Sequence, residues 1–153
     1  MAIREAKGSE ILILEELAQR CFDKFSFKEK GVSYCKSSFI LRLKEFINSS
    51  LFKCLVYVEE DEILGATILS VMPSLYNLSK VSVSELFMQA DPSLPKFSQG
   101  RIMISFIKYI EEFSRRSGAS EVNLSSSSVF DLSNYFNRNG YVLMNKMYMK
   151  GVV

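Results

Sequence analysis

The sequence predicts a single-domain α/β fold, and three observations carry that expectation. Apolar stripes at three- and four-residue spacing alternate with short runs rich in β-branched and aromatic residues along the chain. The 153 residues correspond to about one domain. Composition is 48% hydrophobic and 24% charged with 7 Gly and 3 Pro, which suffices to fill a core and leaves no repeat or linker.

In order, Ile3 to Glu5 reads as a short extended start, and Gly8-Ser9-Glu10 opens a helix with Ser9 as its N-cap and Glu10 set for the helix dipole. Ile11, Leu14, Leu17, Ala18, Cys21, Phe22 and Phe25 form the apolar stripe of that helix. Gly31 interrupts, and Phe39, Ile40, Leu43, Phe46 and Ile47 make a second stripe capped by Ser37 or Ser38 and ending near Asn48. Cys54 to Val58 and Ile63 to Val71 read as a hairpin around the acidic turn Glu59-Glu60-Asp61-Glu62. Ser82 to Ala90 is a further strand, and its unbroken Leu86-Phe87-Met88 predicts burial on both faces. Two prolines and a glycine make Asp91 to Arg101 a loop. Met103, Phe106, Ile107, Ile110 and Phe113 give a helix ending at Gly118, with Arg115 and Arg116 in its last turn. A short strand over Glu121 to Leu124, a polar joint over Ser125 to Ser128, a helix from Val129 to Asn139 stopped by Gly140, and a strand from Tyr141 to Met149 complete the chain.

Composition also excludes chemistry. With no His, the Ser-His-Asp and Cys-His arrangements and the HExxH zinc motif are impossible. Cys21, Cys35 and Cys54 are odd in number and widely spaced, which predicts reduced core thiols in a cytoplasmic protein and no metal site. A net charge of +2 and scattered basic residues predict no nucleic-acid partner. No long apolar span or signal-like start is visible, so no membrane association is expected.

The order of elements and two local patterns resemble the GNAT superfamily of acyl-CoA-dependent N-acetyltransferases, over nearly the whole chain. One pattern is the hairpin Leu55-Val56-Tyr57-Val58 followed by Ile63-Leu64-Gly65-Ala66; the other is Asn134-Tyr135-Phe136-Asn137-Arg138-Asn139-Gly140-Tyr141 with Tyr148-Met149-Lys150. The resemblance, as to a divergent member of phage type, implies a central mixed, mostly antiparallel sheet flanked by about four helices. It implies acetyl-CoA held by the central strand at Met88 and Ala90, by Lys96, Ser98, Gln99, Gly100, Arg101, Ile102 and Met103 around the start of the following helix, and by Ser126. A helix N-terminus suits a diphosphate, because unsatisfied N–H groups and the positive dipole end coincide there; Lys96 and Arg101 add two cations, although a solvated loop with two ordinary cations is the plainer reading.

The sequence departs from the family at two places. Where the family has Arg/Gln-x-x-Gly-x-Gly/Ala, this chain has Ser98, Arg101 and Met103, with Gly100 the only glycine nearby. Where many members have a Tyr that protonates the leaving thiolate, this chain has Phe136, and Tyr135 faces another direction on the helix, so a packing role competes with a catalytic one. Glu85 is the candidate base, an exposed strand carboxylate being the equal alternative.

Two functions follow. The first is an N-acetyltransferase acting by direct attack of a small-molecule or protein amine on acetyl-CoA. The second is a catalytically inactive GNAT-fold binding or structural protein, such as a phage assembly or interaction protein, that has lost the cofactor site; the Met-rich tail would then offer a partner surface. An open nest of backbone N–H groups at Pro92 to Arg101 favours the first, and a cleft filled by Phe97 or Met103 the second. A homo-oligomer through the closing strand is left open.

Overall fold

The acidic interruption makes a tight turn between two long strands in a computed structural model that describes residues 2–25, 28–126 and 130–144. β2 (Phe52–Glu59) and β3 (Glu62–Pro73) pair antiparallel from Glu59↔Glu62 to Phe52↔Ser70. At the tip Glu60 and Asp61 both take positive φ, 51° and 66°, the primed-turn geometry whose twist matches that of the strands. β1 (Ala2–Glu5) joins β2 and β4 (Val81–Ala90) joins β3, both antiparallel, while β5 (Ala119–Asn123) lies parallel to β4. The sheet order is β1-β2-β3-β4-β5, mixed and mostly antiparallel as expected.

Because strand side chains alternate, the sheet buries one set of residues on each face. Cys54, Val56, Ala66 and Ile68 pack against α1 (Ile11–Lys24) and α2 (Lys36–Asn48). Leu55, Tyr57, Leu69, Val83, Met88 and Ala90 pack against α3 (Lys96–Arg116) and α4 (Ser133–Arg138). α3 lies against β3 so closely that a Cβ on Gly65 would come within 2.8 Å of Ile102 Cγ2 and 3.0 Å of the Gln89 carbonyl oxygen. That close approach, rather than a special φ, requires the glycine of the hairpin motif.

Several expectations are corrected. α3 begins at Lys96, so the loop shrinks to Asp91 to Pro95. Pro95 takes the N-cap place, with no N–H to leave unsatisfied, and Gly100 is carried inside the helix at the modest cost that glycine imposes there. Ser9 does not cap α1: Gly8–Glu10 is a 3₁₀ turn, fixed by the Glu10 carboxylate, which accepts the Lys7 N–H at 2.7 Å and a two-pronged ion pair from Arg4. Cys35, not Ser37 or Ser38, stands at the N-cap of α2, and it is exposed rather than a core thiol. Leu86 is 52% exposed, so β4 is not buried on both faces there. β5 starts earlier than expected, at Ala119. α4 starts later, at Ser133, because the side chains of Ser126 and Asp131 hold the preceding connection in a local turn. Residues 141–144 form no strand, and the rest of the expected closing strand, like Ser127, Ser128 and Val129, lies outside the described residues. Gly118 and Gly140 take φ +67° and +79° just past α3 and α4, as their expected stop roles require.

Candidate functional site

β4 and β5 part company midway along β4. Their last parallel rung is Ser84↔Asn123, where the Asn123 Nδ2 donates to the hydroxyls of Ser82 and Ser84 at 3.1 and 3.2 Å. β4 then runs on to Ala90, while β5 ends. On its other side β4 carries a bulge: Leu69 faces Glu85 and Ile68 faces Phe87, so Leu86 has no partner in β3. Such an extra residue bends the strand and increases its twist, which turns β4 away from β5. Among the described residues, the β5-facing backbone groups of β4 beyond Ser84 have no strand beside them.

Glu85 stands where the fork opens. Its carboxylate accepts the Ser125 N–H at 3.0 Å and the Ser125 hydroxyl at 2.5 Å. Burial raises its pKa above the ordinary carboxylate value, against the lowering effect of both Ser125 hydrogen bonds. A carboxylate held by two donors and partly desolvated is a usable proton acceptor near neutral pH.

The other end of the fork is the start of α3. Asp91 organises the approach: its Oδ1 accepts the Ser93 N–H at 2.9 Å and hydroxyl at 2.7 Å, and its Oδ2 receives Arg20 of α1 at 2.7 Å. Gln99, buried, donates from Nε2 to the Leu94 carbonyl at 2.7 Å and clamps the turn onto the helix. With Pro95 at the N-cap and the Gln99 N–H bonded to the Pro95 carbonyl, the first-turn N–H groups of Lys96, Phe97 and Ser98 point out of the helix end. Ile102, Met103, Met88 and Ala90 commit their side chains to the core beneath. Phe97 is 85% exposed, whereas Met103 is buried in the core cluster with Met88 and Ala90.

The two expected cations part. Arg101 reaches the end of β2, where Glu59 holds it at 3.0 Å. Lys96 lies with its Nζ 6.0 Å from the centre of the Phe130 ring. The same ring packs on Gly100, where a Cβ would sit 3.2 Å from Phe130 Cζ. Ser126 is occupied in the β5–α4 connection, its hydroxyl accepting the Leu132 N–H at 2.8 Å and donating to Asp131 at 3.1 Å.

Tyr135 and Glu85 are not brought onto a common partner among the described residues. The Tyr135 ring meets Phe136 edge-on at 6.2 Å, and burial together with the Glu111 carboxylate raises its pKa. Tyr141 donates to Glu111 at 2.6 Å and its ring lies 5.0 Å from Phe136. The C-terminal motif thereby closes α4 onto α3. On the opposite face of the sheet, Glu15, Glu16, Gln19, Arg20 and Lys36 line an open groove. Its floor is the buried Glu15 carboxylate, paired with Lys36 at 2.9 Å and accepting the Tyr34 hydroxyl at 3.0 Å.

Sequence reasoning missed Phe130, the Arg101–Glu59 pair and the Arg20–Asp91 link. The last had a signal, since Asp-Pro-Ser favours the side-chain-to-backbone turn that Asp91 makes; the first two pair residues far apart in the chain. Among the described residues no three His, Cys, Asp or Glu side chains gather as a metal group, and no helix is long and apolar enough to cross a membrane.

No family model and no curated protein matches the sequence. Solved structures do match. An acetyltransferase from Trypanosoma brucei superposes with a TM-score of 0.69 at 15% identity, over 97% of this chain and 96% of that one. A predicted acetyltransferase from Clostridium acetobutylicum, solved with acetyl-CoA, gives 0.70 at 11% identity, over 97% and 94%. A GNAT family acetyltransferase from Staphylococcus aureus gives 0.67 at 21% identity, over 99% and 98%. At these identities the likeness fixes the fold.

Proposed function

We propose that this chain, which has the GNAT acetyltransferase fold at low sequence identity, is an acetyl-CoA-dependent N-acetyltransferase. The observation that carries this reading is the fork between β4 and β5 with the Glu85 carboxylate at its opening. The edge of β4 beyond Ser84, beside which no strand lies among the described residues, can hydrogen-bond an extended amide-bearing arm as a strand would. The exposed first-turn N–H groups of α3 and the Lys96 ammonium suit a diphosphate. The acceptor is a small-molecule or protein amine.

Its nitrogen attacks the thioester carbonyl carbon, the C–N bond forms and the C–S bond breaks. Glu85 takes the proton that the amine gives up, directly or through one water, and the departing thiolate takes a proton from solvent. The edge-on contact of Tyr135 with Phe136 and the effect of the Glu111 carboxylate on its hydroxyl support a packing role for it. Holding the two reactants in line supplies much of the acceleration.

A second reading is supported by Phe130 and Glu59, which occupy Gly100 and Arg101: a binding protein that kept the fold and lost the donor site. The test is thiol release from acetyl-CoA with a panel of amines. Turnover that falls about 10²- to 10⁴-fold in Glu85→Gln supports the enzyme; no release with any amine, together with no coenzyme A binding, retires it.

A further inference from the structure

The end of the sheet remote from the fork carries an apolar tip. The connection from Ser74 to Lys80 joins β3 to β4, and in it Leu75, Tyr76 and Leu78 are 84%, 86% and 81% exposed. Its polar groups turn instead on one another. The Ser74 N–H donates to the Lys80 carbonyl at 2.8 Å and the Lys80 N–H to the Asn77 carbonyl at 2.9 Å. The Tyr76 N–H reaches the Ser74 hydroxyl at 3.3 Å, and Asn77 Oδ1 accepts the Ser79 N–H and hydroxyl at 3.1 and 2.7 Å. Part-exposed Met72 precedes the tip, and half-exposed Leu51 lies beside it, its carbonyl accepting the Val71 N–H. Ala119 faces Val81 at the start of β5, which brings Arg115 and Arg116, at the end of α3, to the same rim. The segments 48–52, 72–81 and 115–120 that form this end contain Lys80, Arg115 and Arg116 and no acidic residue. Glu112, a turn back in α3, is shared between the two arginines, and Glu121 stands further along β5, so the rim itself is left positive.

We propose that this tip docks on an anionic lipid bilayer, with Leu75, Tyr76 and Leu78 entering the boundary between headgroups and acyl chains and Lys80, Arg115 and Arg116 meeting the lipid phosphates. A backbone that enters an apolar phase must satisfy its polar groups within the chain, which the hydrogen bonds of this loop do. Tyrosine suits headgroup depth, and a positive rim suits an anionic surface. A second copy of the chain fits less well, because three side chains at a tip offer roughly 500 Å² where each partner of a stable dimer buries about 800 Å². Three residues at a loop tip form no span, so the sequence carries no sign of such a contact. The ten residues of β4 put about 30 Å between the tip and the approach to α3. Docking therefore leaves the fork free, and the inference stands apart from the acetyl-CoA reading.

Co-sedimentation of the full chain with phosphatidylcholine vesicles, with and without phosphatidylserine, tests this. The parent is expected to bind the phosphatidylserine vesicles, and less so as salt rises. Leu75→Ser combined with Leu78→Ser, at exposed positions where the fold is not at stake, should bind about tenfold more weakly. Arg115→Gln combined with Arg116→Gln should reduce the preference for phosphatidylserine. The parent chain has no tryptophan, so Tyr76→Trp gives a single emitter whose fluorescence should shift to the blue on vesicles as the ring leaves water. A parent that stays in the supernatant with both kinds of vesicle overturns the proposal, as does a serine variant that binds like the parent with an unmoved tryptophan. Equal binding of the parent to both kinds of vesicle overturns the part given to the cations. A dimer in solution that the serine variant loses, with no vesicle binding, overturns the lipid assignment and gives the tip to a second copy.

Discussion

Replacing Gly65 by Ala should loosen the junction that sets α3 against the sheet. The added methyl carbon meets Ile102 Cγ2 at 2.8 Å, the Gln89 carbonyl oxygen at 3.0 Å and Phe106 Cε2 at 3.1 Å. Ile102 and Phe106 are fully buried, so their side chains have no solvent to retreat into, and the Gln89 oxygen is backbone of β4, which pairs with β3 at Ala66. Overpacking a tight core costs about 1–3 kcal/mol, and a site with one backbone and two immobile neighbours belongs at the upper end, about 3 kcal/mol. For a domain of this size the melting temperature should fall by about 6–12 °C. Urea denaturation followed by circular dichroism, with an unchanged m-value, measures the loss directly. A loss below about 0.5 kcal/mol would refute the claim that α3 is seated on Gly65.

Four further outcomes follow. Asp61, at φ 66° in the hairpin tip, occupies backbone space that glycine adopts freely, so Asp61→Gly should stabilise by about 0.5–1 kcal/mol in the same denaturation assay. The Ser37 and Ser38 hydroxyls lower the exposed Cys35 thiol to about 7, whereas burial pushes Cys21 and Cys54 to about 12; one thiol should therefore react with a disulfide reagent in the native protein, half-maximally near pH 7, and three in denaturant. Lys96→Ala should weaken coenzyme A binding and flatten its salt dependence, while Arg101→Ala, removing a cation that Glu59 already holds, should leave affinity unchanged. Burial raises the Glu85 pKa, so the transfer rate should climb with pH through a midpoint above the ordinary carboxylate range. In the fold the charged form is disfavoured, so the stability that Glu85 contributes is full below its unfolded pKa and declines as pH rises through the raised value; Glu85→Gln should melt higher than the parent at neutral pH and show no such climb in rate.

Strands β1 to β5 and the long helices are legible because they are written in local periodicity: the stripe from Met103 to Phe113, the hairpin around Glu59 to Glu62 and the stops at Gly118 and Gly140 each depend on residues a few positions apart. Helix starts are less legible. Ser9, Ser37 and Ser38 are favourable caps by type, yet Glu10 bonding Arg4 and the exposed Cys35 took those places, and two prolines concealed a helix that begins immediately after the second. The fork was legible only in outline. Glu85 could be singled out, but the bulge at Leu86 is a register property shared between two strands and leaves no mark in either one. Phe130 on Gly100 and Glu59 on Arg101 are contacts between distant segments, which a linear pattern does not carry.

The most direct measurement is calorimetric titration of the unaltered protein with acetyl-CoA at low and moderate salt. A fork that ends in the N–H groups of α3 and the Lys96 ammonium predicts saturable binding that weakens as salt rises. No heat and no thermal stabilisation at millimolar acetyl-CoA, in salt low enough to leave the charges unscreened, would contradict it.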